Sequence, residues 1–198
     1  MHALIFLPVF LCIFFTSCSE PDYVPKPRAF PRIDFPVATQ PTAFQTDFCP
    51  AFTFEQPDYV TIRKDQRVFD EGAPDDCWFD LYYPTLNGSI YFSYLPTDPD
   101  AVETLKRDAF RMTDWHTKKA TYIDEIPLKR GNVEGLLFRV EGPAASPYQF
   151  YLTDTLGQHF VRGAVYVESS VRPDSLAPVY AFMRRDMERV LETFVWTE

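Results

Sequence analysis

Between residues 52 and 168, apolar and polar side chains alternate with a period of two, which is typical of strands that have one buried face. The clearest runs are residues 78–83 and 89–94. Asn87-Gly88 lies between them, and this dipeptide favours the tight turn of a β-hairpin. The pattern therefore predicts two antiparallel strands joined by that turn.

Four further segments carry the same alternation: residues 122–127, 134–141, 148–153 and 159–168. The last three are joined by segments of only a few residues, which is too short for the crossover that parallel strands need. They must therefore pair with antiparallel neighbours. We expect a mainly antiparallel sheet of about six to seven strands.

Two segments change to the period of a helix. The first covers residues 99–119 with Asp98 as its N-cap, and its apolar stripe is Val102, Leu105, Ala109, Met112 and His116. The second covers residues 175–194 and is capped by Asp174. Because each helix has one apolar stripe, each covers a face of the sheet. The predicted fold class is α+β, a mainly antiparallel sheet covered by two amphipathic helices.

The first residues predict export rather than structure. Residues 3–15 are apolar and uncharged, too few to span a bilayer as a helix but suited to a signal peptide. Phe15-Thr16-Ser17-Cys18 follows, and small residues before a cysteine form a lipobox-like site. We predict a lipoprotein signal peptide over residues 1–17 and a lipid, with palmitate chains, on Cys18. The alternative is an ordinary secretory signal followed by an unrelated cysteine.

Prolines set the next segment apart. Seven prolines occur between Ser19 and Pro50, a density that excludes a helix and favours extended chain. We predict that residues 18–50 form a lipidated cysteine and tether, in which residues 32–35 could add a short edge strand. Residues 51–198 are predicted to form a single globular domain.

Cys49 and Cys77 remain once Cys12 leaves with the signal and Cys18 takes lipid. Two remaining cysteines in an exported chain predict a disulfide, which would stabilise the fold by about 3–4 kcal/mol. A redox-active thiol pair and a metal site are the alternatives. The sequence has no C-x-x-C motif and no histidine close to either cysteine, which favours the structural bridge.

Charge and composition exclude several other classes of protein. The chain of 198 residues has 19 Lys and Arg against 28 Asp and Glu, a net charge of −9. Such an acidic chain lacks the basic surface that binds nucleic acid. With 7 glycines and 18 prolines it is neither collagen-like nor a flexible Gly-rich protein.

No catalytic motif stands out, and we expect no enzyme activity, cofactor or metal. His116 is predicted to be a packed histidine, and His159 with Asp154 is predicted to cap a hairpin rather than to form a catalytic pair. Ser146 is predicted to lie in a turn, and nothing marks it as an activated nucleophile. The acidic residues between 70 and 76 lack the spacing of a calcium loop. The aromatic strands are predicted to form core pairs, with carbohydrate or pigment binding as the alternative.

Several ordered blocks resemble the gliding-motility lipoprotein GldD family of Bacteroidetes-type bacteria. They are residues 24–28, Cys49-Pro50 with Phe52 and Phe54, residues 77–84, residues 144–154, and the two ends of the last helix at 174–176 and 191–194. The resemblance covers nearly all of the chain after the signal. It implies a lipid-anchored envelope protein linked to gliding and to type IX secretion, with no known catalysis or cofactor. Cys18 carries over as the lipidation site.

The order of elements also resembles the α/β/α sandwiches of PsbP-type proteins, which implies architecture alone. Two functional hypotheses follow. The first is a non-enzymatic scaffold that faces the periplasm, binds other motility and secretion proteins, and displays an exposed apolar or aromatic patch. The second is a periplasmic ligand-binding module or hydrolase with a concave pocket lined by Tyr and Trp.

Overall fold

Seven of the described strands pair antiparallel into one sheet. The computed structural model describes residues 32–64, 77–170 and 172–197. The strands of the sheet are β4 (Thr61–Lys64), β5 (Trp78–Tyr83), β6 (Gly88–Pro96), β7 (Tyr122–Arg130), β8 (Val133–Glu141), β9 (Tyr148–Asp154) and β10 (His159–Val167). Their order across the sheet is β4-β5-β6-β10-β9-β8-β7. The mainly antiparallel sheet predicted from the sequence is confirmed.

Local turn chemistry fixes the register of the hairpins. Asn87 adopts a positive φ of 46° at the β5–β6 turn, a conformation that asparagine tolerates well. In the β9–β10 turn, the Asp154 carboxylate accepts hydrogen bonds from the backbone N–H groups of Gln158 (2.7 Å) and His159 (2.8 Å). Asp154 therefore caps the hairpin through the backbone, as predicted.

Helix α1 (Pro99–Asp114) begins where the sequence predicts. The Asp98 carboxylate accepts hydrogen bonds from the N–H groups of Asp100 (3.0 Å) and Ala101 (2.8 Å). The α-helix ends before residue 119 and continues as a 3-10 helix, Trp115–Lys118. The predicted apolar stripe is wrong at Met112, whose side chain is exposed. Thr113 is buried instead, because its hydroxyl donates a hydrogen bond to the Ala109 carbonyl, 3.1 Å away.

Helix α2 (Pro173–Thr193) begins earlier than predicted. The prediction that Asp174 is the N-cap is wrong: Arg172 occupies that position without a side-chain cap, and Asp174 lies in the first turn. Pro173 starts the helix, and the fixed φ of proline suits a first helical position. Pro178 lies inside the helix.

The two helices lie on opposite faces of the sheet, so the fold is an α/β/α sandwich. On the α1 face a small cluster joins the helix to β8, β9 and β10: Val102, Ala109, Leu136, Phe138, Tyr151 and Phe160. On the α2 face a larger cluster includes Met183, Met187 and Val190 of the helix. The larger cluster buries the inward-facing aromatic residues of β5 and β6, whereas Trp78, Tyr82 and Tyr91 alternate with them on the other face of the sheet.

The folded body includes residues that the sequence assigned to the tether. Strands β1 (Pro41–Ala43) and β3 (Glu55–Pro57) pair antiparallel, and β2 (Phe52–Thr53) pairs with β11 (Val195–Trp196). Phe44 is fully buried and stacks on Phe79 at 4.6 Å, and Phe35 stacks on Phe182 at 4.8 Å. The body therefore begins before residue 51, because phenylalanines between the prolines supply buried apolar surface. Residues 32–35 form no strand.

A disulfide joins this segment to the sheet. Cys49 and Cys77 are bonded, their Cα atoms are 4.6 Å apart, and both side chains are buried. The bridge fixes the start of β5, where the Cys77 carbonyl also accepts a hydrogen bond from the Tyr94 N–H.

Candidate interaction surface

The two histidines of the body lie on opposite faces of the sheet. His159 shares the α2 face, where its ring stacks on Trp196 at 5.1 Å and its Nδ1 bonds to the Tyr94 hydroxyl at 2.9 Å. His116 is half-buried beside α1, where burial, followed by the nearby Arg162, lowers its pKa. With the sheet between them, these histidines form no common site.

The other predicted candidates are also engaged in structural contacts. Ser146 is fully buried, and its hydroxyl donates to the Tyr148 carbonyl at 3.2 Å. Both Asp154 oxygens accept backbone N–H groups, so the carboxylate does not orient the His159 ring. Within the described ranges, no group of His, Cys, Asp and Glu could hold a metal ion. Cys18 and the acidic residues between 70 and 76 lie outside those ranges.

One half-buried carboxyl, that of Asp186, was not singled out from the sequence. Asp186 of α2 accepts a hydrogen bond of 2.6 Å from the Tyr59 hydroxyl, and burial raises the pKa of its carboxyl. Burial also raises the pKa of the neighbouring Tyr83 hydroxyl well above its ordinary range. Phe182 of the larger core cluster packs against Tyr59. We therefore interpret the group of Asp186, Tyr59 and Tyr83 as structural.

Exposed apolar side chains are concentrated where α1 ends. Of the seven large apolar residues exposed in the described ranges, four lie between residues 110 and 122. Phe110 is 37% exposed, Tyr122 57% and Trp115 75%. We refer to Phe110, Trp115 and Tyr122 as the helix-end patch. Solvent-exposed aromatic groups of this kind mark interaction sites more often than isolated surface residues do.

A cavity of about 300 Å³ lies within the helix-end patch. Phe110 and Tyr122 line it together with Thr113, Thr117 and Phe138. Phe110 packs edge-on against the buried Phe138 ring at 5.1 Å, which holds it in place. The patch thus combines one ring held in place, that of Phe110, and two more exposed aromatic side chains with a depression that could receive a partner side chain.

A second depression lies between the β7–β8 edge and the end of α2. Its volume is about 470 Å³, and its apolar lining comes mainly from Ile126, Leu128, Val133, Leu137 and Leu191. Charges of both signs surround it: Lys129 and Arg130 on the sheet, and Glu188 and Glu192 on the helix. Arg130 reaches across to donate a hydrogen bond to the Phe194 carbonyl, at the C-terminal end of α2.

The geometry alone does not identify the protein family, but comparison with known families does. The family model described as "Gliding motility lipoprotein GldD" matches residues 20–196. The chain belongs to the GldD family. The match confirms the resemblance seen in the sequence blocks, and it makes this protein a lipoprotein of the cell envelope related to gliding motility.

Structural comparison of this GldD chain finds a similarity at low sequence identity. The solution structure of cyanobacterial PsbP (CyanoP) from Synechocystis sp. PCC 6803 is similar with a TM-score of 0.43 and 11% identity, over 79% of this chain and 92% of that one. No curated protein matches the sequence. None of the described helices has the length and apolar character needed to cross a bilayer.

Proposed function

We propose that this GldD chain is a non-enzymatic accessory or scaffold protein of the gliding-motility and type IX secretion machinery. The family match over residues 20–196 carries the proposal. Within it, the chain is held to a membrane by lipid on Cys18, faces the periplasm and binds other envelope proteins of the machinery.

A non-enzymatic role agrees with the state of the candidate side chains. A catalytic base needs a reactive atom within reach of a substrate, and an activated nucleophile needs a base beside it. Asp154 and Ser146 instead bond to backbone groups, and the two histidines are separated by the sheet. The hydrolase hypothesis built on Asp154 and His159 therefore has no support in this geometry.

The helix-end patch is the surface that we assign to partner binding. Interfaces are enriched in aromatic side chains that are anchored and surrounded by polar residues. Phe110 is anchored against Phe138, Trp115 and Tyr122 are the more exposed aromatic side chains, and Asp114, Thr117 and Glu125 are the polar residues beside the cavity.

The test is complementation in a gliding bacterium whose own GldD gene is deleted. Leu156 provides a matched control, because it is 66% exposed but lies in the β9–β10 turn, beside the start of α1. A helix of 16 residues is about 24 Å long, so Leu156 is far from the patch. We expect the wild type and Leu156→Ala to restore colony spreading, and the double variant Trp115→Ala/Tyr122→Ala to restore none.

Cys18→Ala separates anchoring from docking in the same assay. We expect it to abolish spreading and to move the protein from the membrane to the soluble fraction, whereas the double variant stays in the membrane. Full spreading by Cys18→Ala would contradict the anchor, and full spreading by the double variant would contradict the patch.

A further inference from the structure

Helix α1 covers only part of its face of the sheet. It packs on β8, β9 and β10, and no helix of the described residues covers the neighbouring area on β5, β6 and the far half of β10. Three rows of side chains cross that area: Trp78, Ser93 and Arg162, then Asp80, Tyr91 and Ala164, then Tyr82, Ser89 and Tyr166. Ser93 and Ala164 are small and have larger side chains beside them, which creates a depression.

The depression is a trough of about 170 Å³. Ser93 and Ala164 are its small residues, and Trp78, Tyr91, Tyr166 and Arg162 are its large ones. We refer to these six residues as the aromatic trough. It is open to solvent and much smaller than the pockets of about 300–1,000 Å³ that enclose drug-sized ligands, so it suits a single ring of a longer molecule.

The aromatic walls are held in fixed positions. The Trp78 indole N–H donates a hydrogen bond to the Tyr94 carbonyl at 3.0 Å. The face of the indole ring, and not its N–H group, is therefore available to a ligand. Tyr91 and Tyr166 pack edge to face at 5.6 Å. Neither of their hydroxyls has a hydrogen bond to another described residue. These side chains thus offer flat rings and hydroxyl groups to a ligand, and little side-chain entropy is lost on binding because the rings are already fixed.

Arg162 supplies a charge that no carboxylate neutralises within the described part of the chain. Its guanidinium donates to the Gln149 side-chain oxygen at 3.0 Å and contacts the Met112 sulfur. The nearby Arg63 differs, because it is paired with Asp80 at 2.6 Å. A partly buried guanidinium without a counter-ion favours binding of an anion, and a carboxylate fits its planar fork.

We propose that the aromatic trough binds a sugar ring that carries a carboxylate. The apolar face of the ring stacks on Trp78 or Tyr91, ring hydroxyls bond to the tyrosine hydroxyls and Ser93, and the carboxylate pairs with Arg162. Acidic amino sugars of the cell wall have this chemistry and occur in the compartment proposed above. Binding itself does not depend on the proposed motility role.

Two sugars that differ by one group give the sharpest test. N-acetylmuramic acid is N-acetylglucosamine with an added lactyl ether, and that ether carries the carboxylate. Calorimetric titration uses the whole chain after residue 17, with Cys18→Ser so that no lipid is attached. We expect millimolar binding of N-acetylmuramic acid, at least tenfold tighter than N-acetylglucosamine, and a preference that shrinks as salt is raised.

Variants test separately the pairing of the carboxylate with Arg162 and the stacking of the sugar ring on Trp78. Arg162→Gln should abolish the preference for the acidic sugar, and Arg162→Lys should retain part of it. Trp78→Ala should weaken binding of both sugars at least tenfold. Trp115→Ala, in the helix-end patch, should bind both as the wild type does, so failure of the docking proposal and failure of this one are separable.

Three results would overturn the proposal: no binding of either sugar at about 10 mM, equal affinity for the two, or an unchanged preference in Arg162→Gln. Thermal melting of each variant shows whether the fold is retained. Because Arg162→Lys keeps the positive charge, a folded Arg162→Lys variant that retains part of the preference supports the proposal.

Discussion

Asp80 carries its charge beneath the outer surface of the sheet. Its carboxylate accepts hydrogen bonds from Arg63 and from the Ser89 hydroxyl, both at 2.6 Å. The Arg63 guanidinium in turn lies 3.6 Å from the centre of the Tyr82 ring. Alternation along β5 correctly placed Asp80 on the side away from the larger core. Its burial could not be read from the sequence, because the residue that covers it is on another strand.

Removing Arg63 should be costly, because it leaves a buried carboxylate without its partner. We expect Arg63→Ala to lower the free energy of unfolding by about 2–4 kcal/mol, measured by urea denaturation. Arg189 is the matched control, since its ion pair with Glu55 is exposed. Arg189→Ala should cost at most about 1 kcal/mol. Equal losses in the two variants would show that Asp80 is not held as described.

At the scale of elements, the strands were the most predictable part of the fold. Period-two patterns and the Asn87-Gly88 turn are local signals, and hairpins need little else. The N-terminal segment was not predictable in this way. Phe35 and Phe44 are isolated between prolines, and their packing on Phe182 and Phe79 depends on residues far along the chain.

Helix α1 depends on its cap. Because Asp98 satisfies two backbone N–H groups of the first turn, Asp98→Ala should lower the free energy of unfolding by about 1 kcal/mol. Asp108→Ala on the same helix should change it by no more than about 0.5 kcal/mol, since Asp108 forms only an exposed pair with Arg111. Thermal or urea unfolding of both variants checks this, and an effect at Asp108 as large as at Asp98 would contradict the capping role.

At the scale of the whole molecule, one helix per face leaves surfaces that no local pattern reveals. The helix-end patch lies where α1 gives way to a 3-10 helix after Asp114, and Trp115, which was not part of the predicted stripe, begins that 3-10 helix. The aromatic trough exists because α1 covers only part of the sheet. The sequence did indicate that aromatic residues alternate along β5 and β6, but which of them stay exposed depends on where the helices pack.

The central claim is that this GldD chain acts by holding another envelope protein at its helix-end patch. Site-specific photocrosslinking in living cells tests it most directly, with the crosslinker placed at residue 115, at residue 122 or, as the control, at residue 156. Mass spectrometry then identifies the captured proteins. We predict that positions 115 and 122 capture the same motility or secretion protein and that position 156 does not. Capture of nothing at 115 and 122, or of the same proteins at all three positions, would contradict the claim.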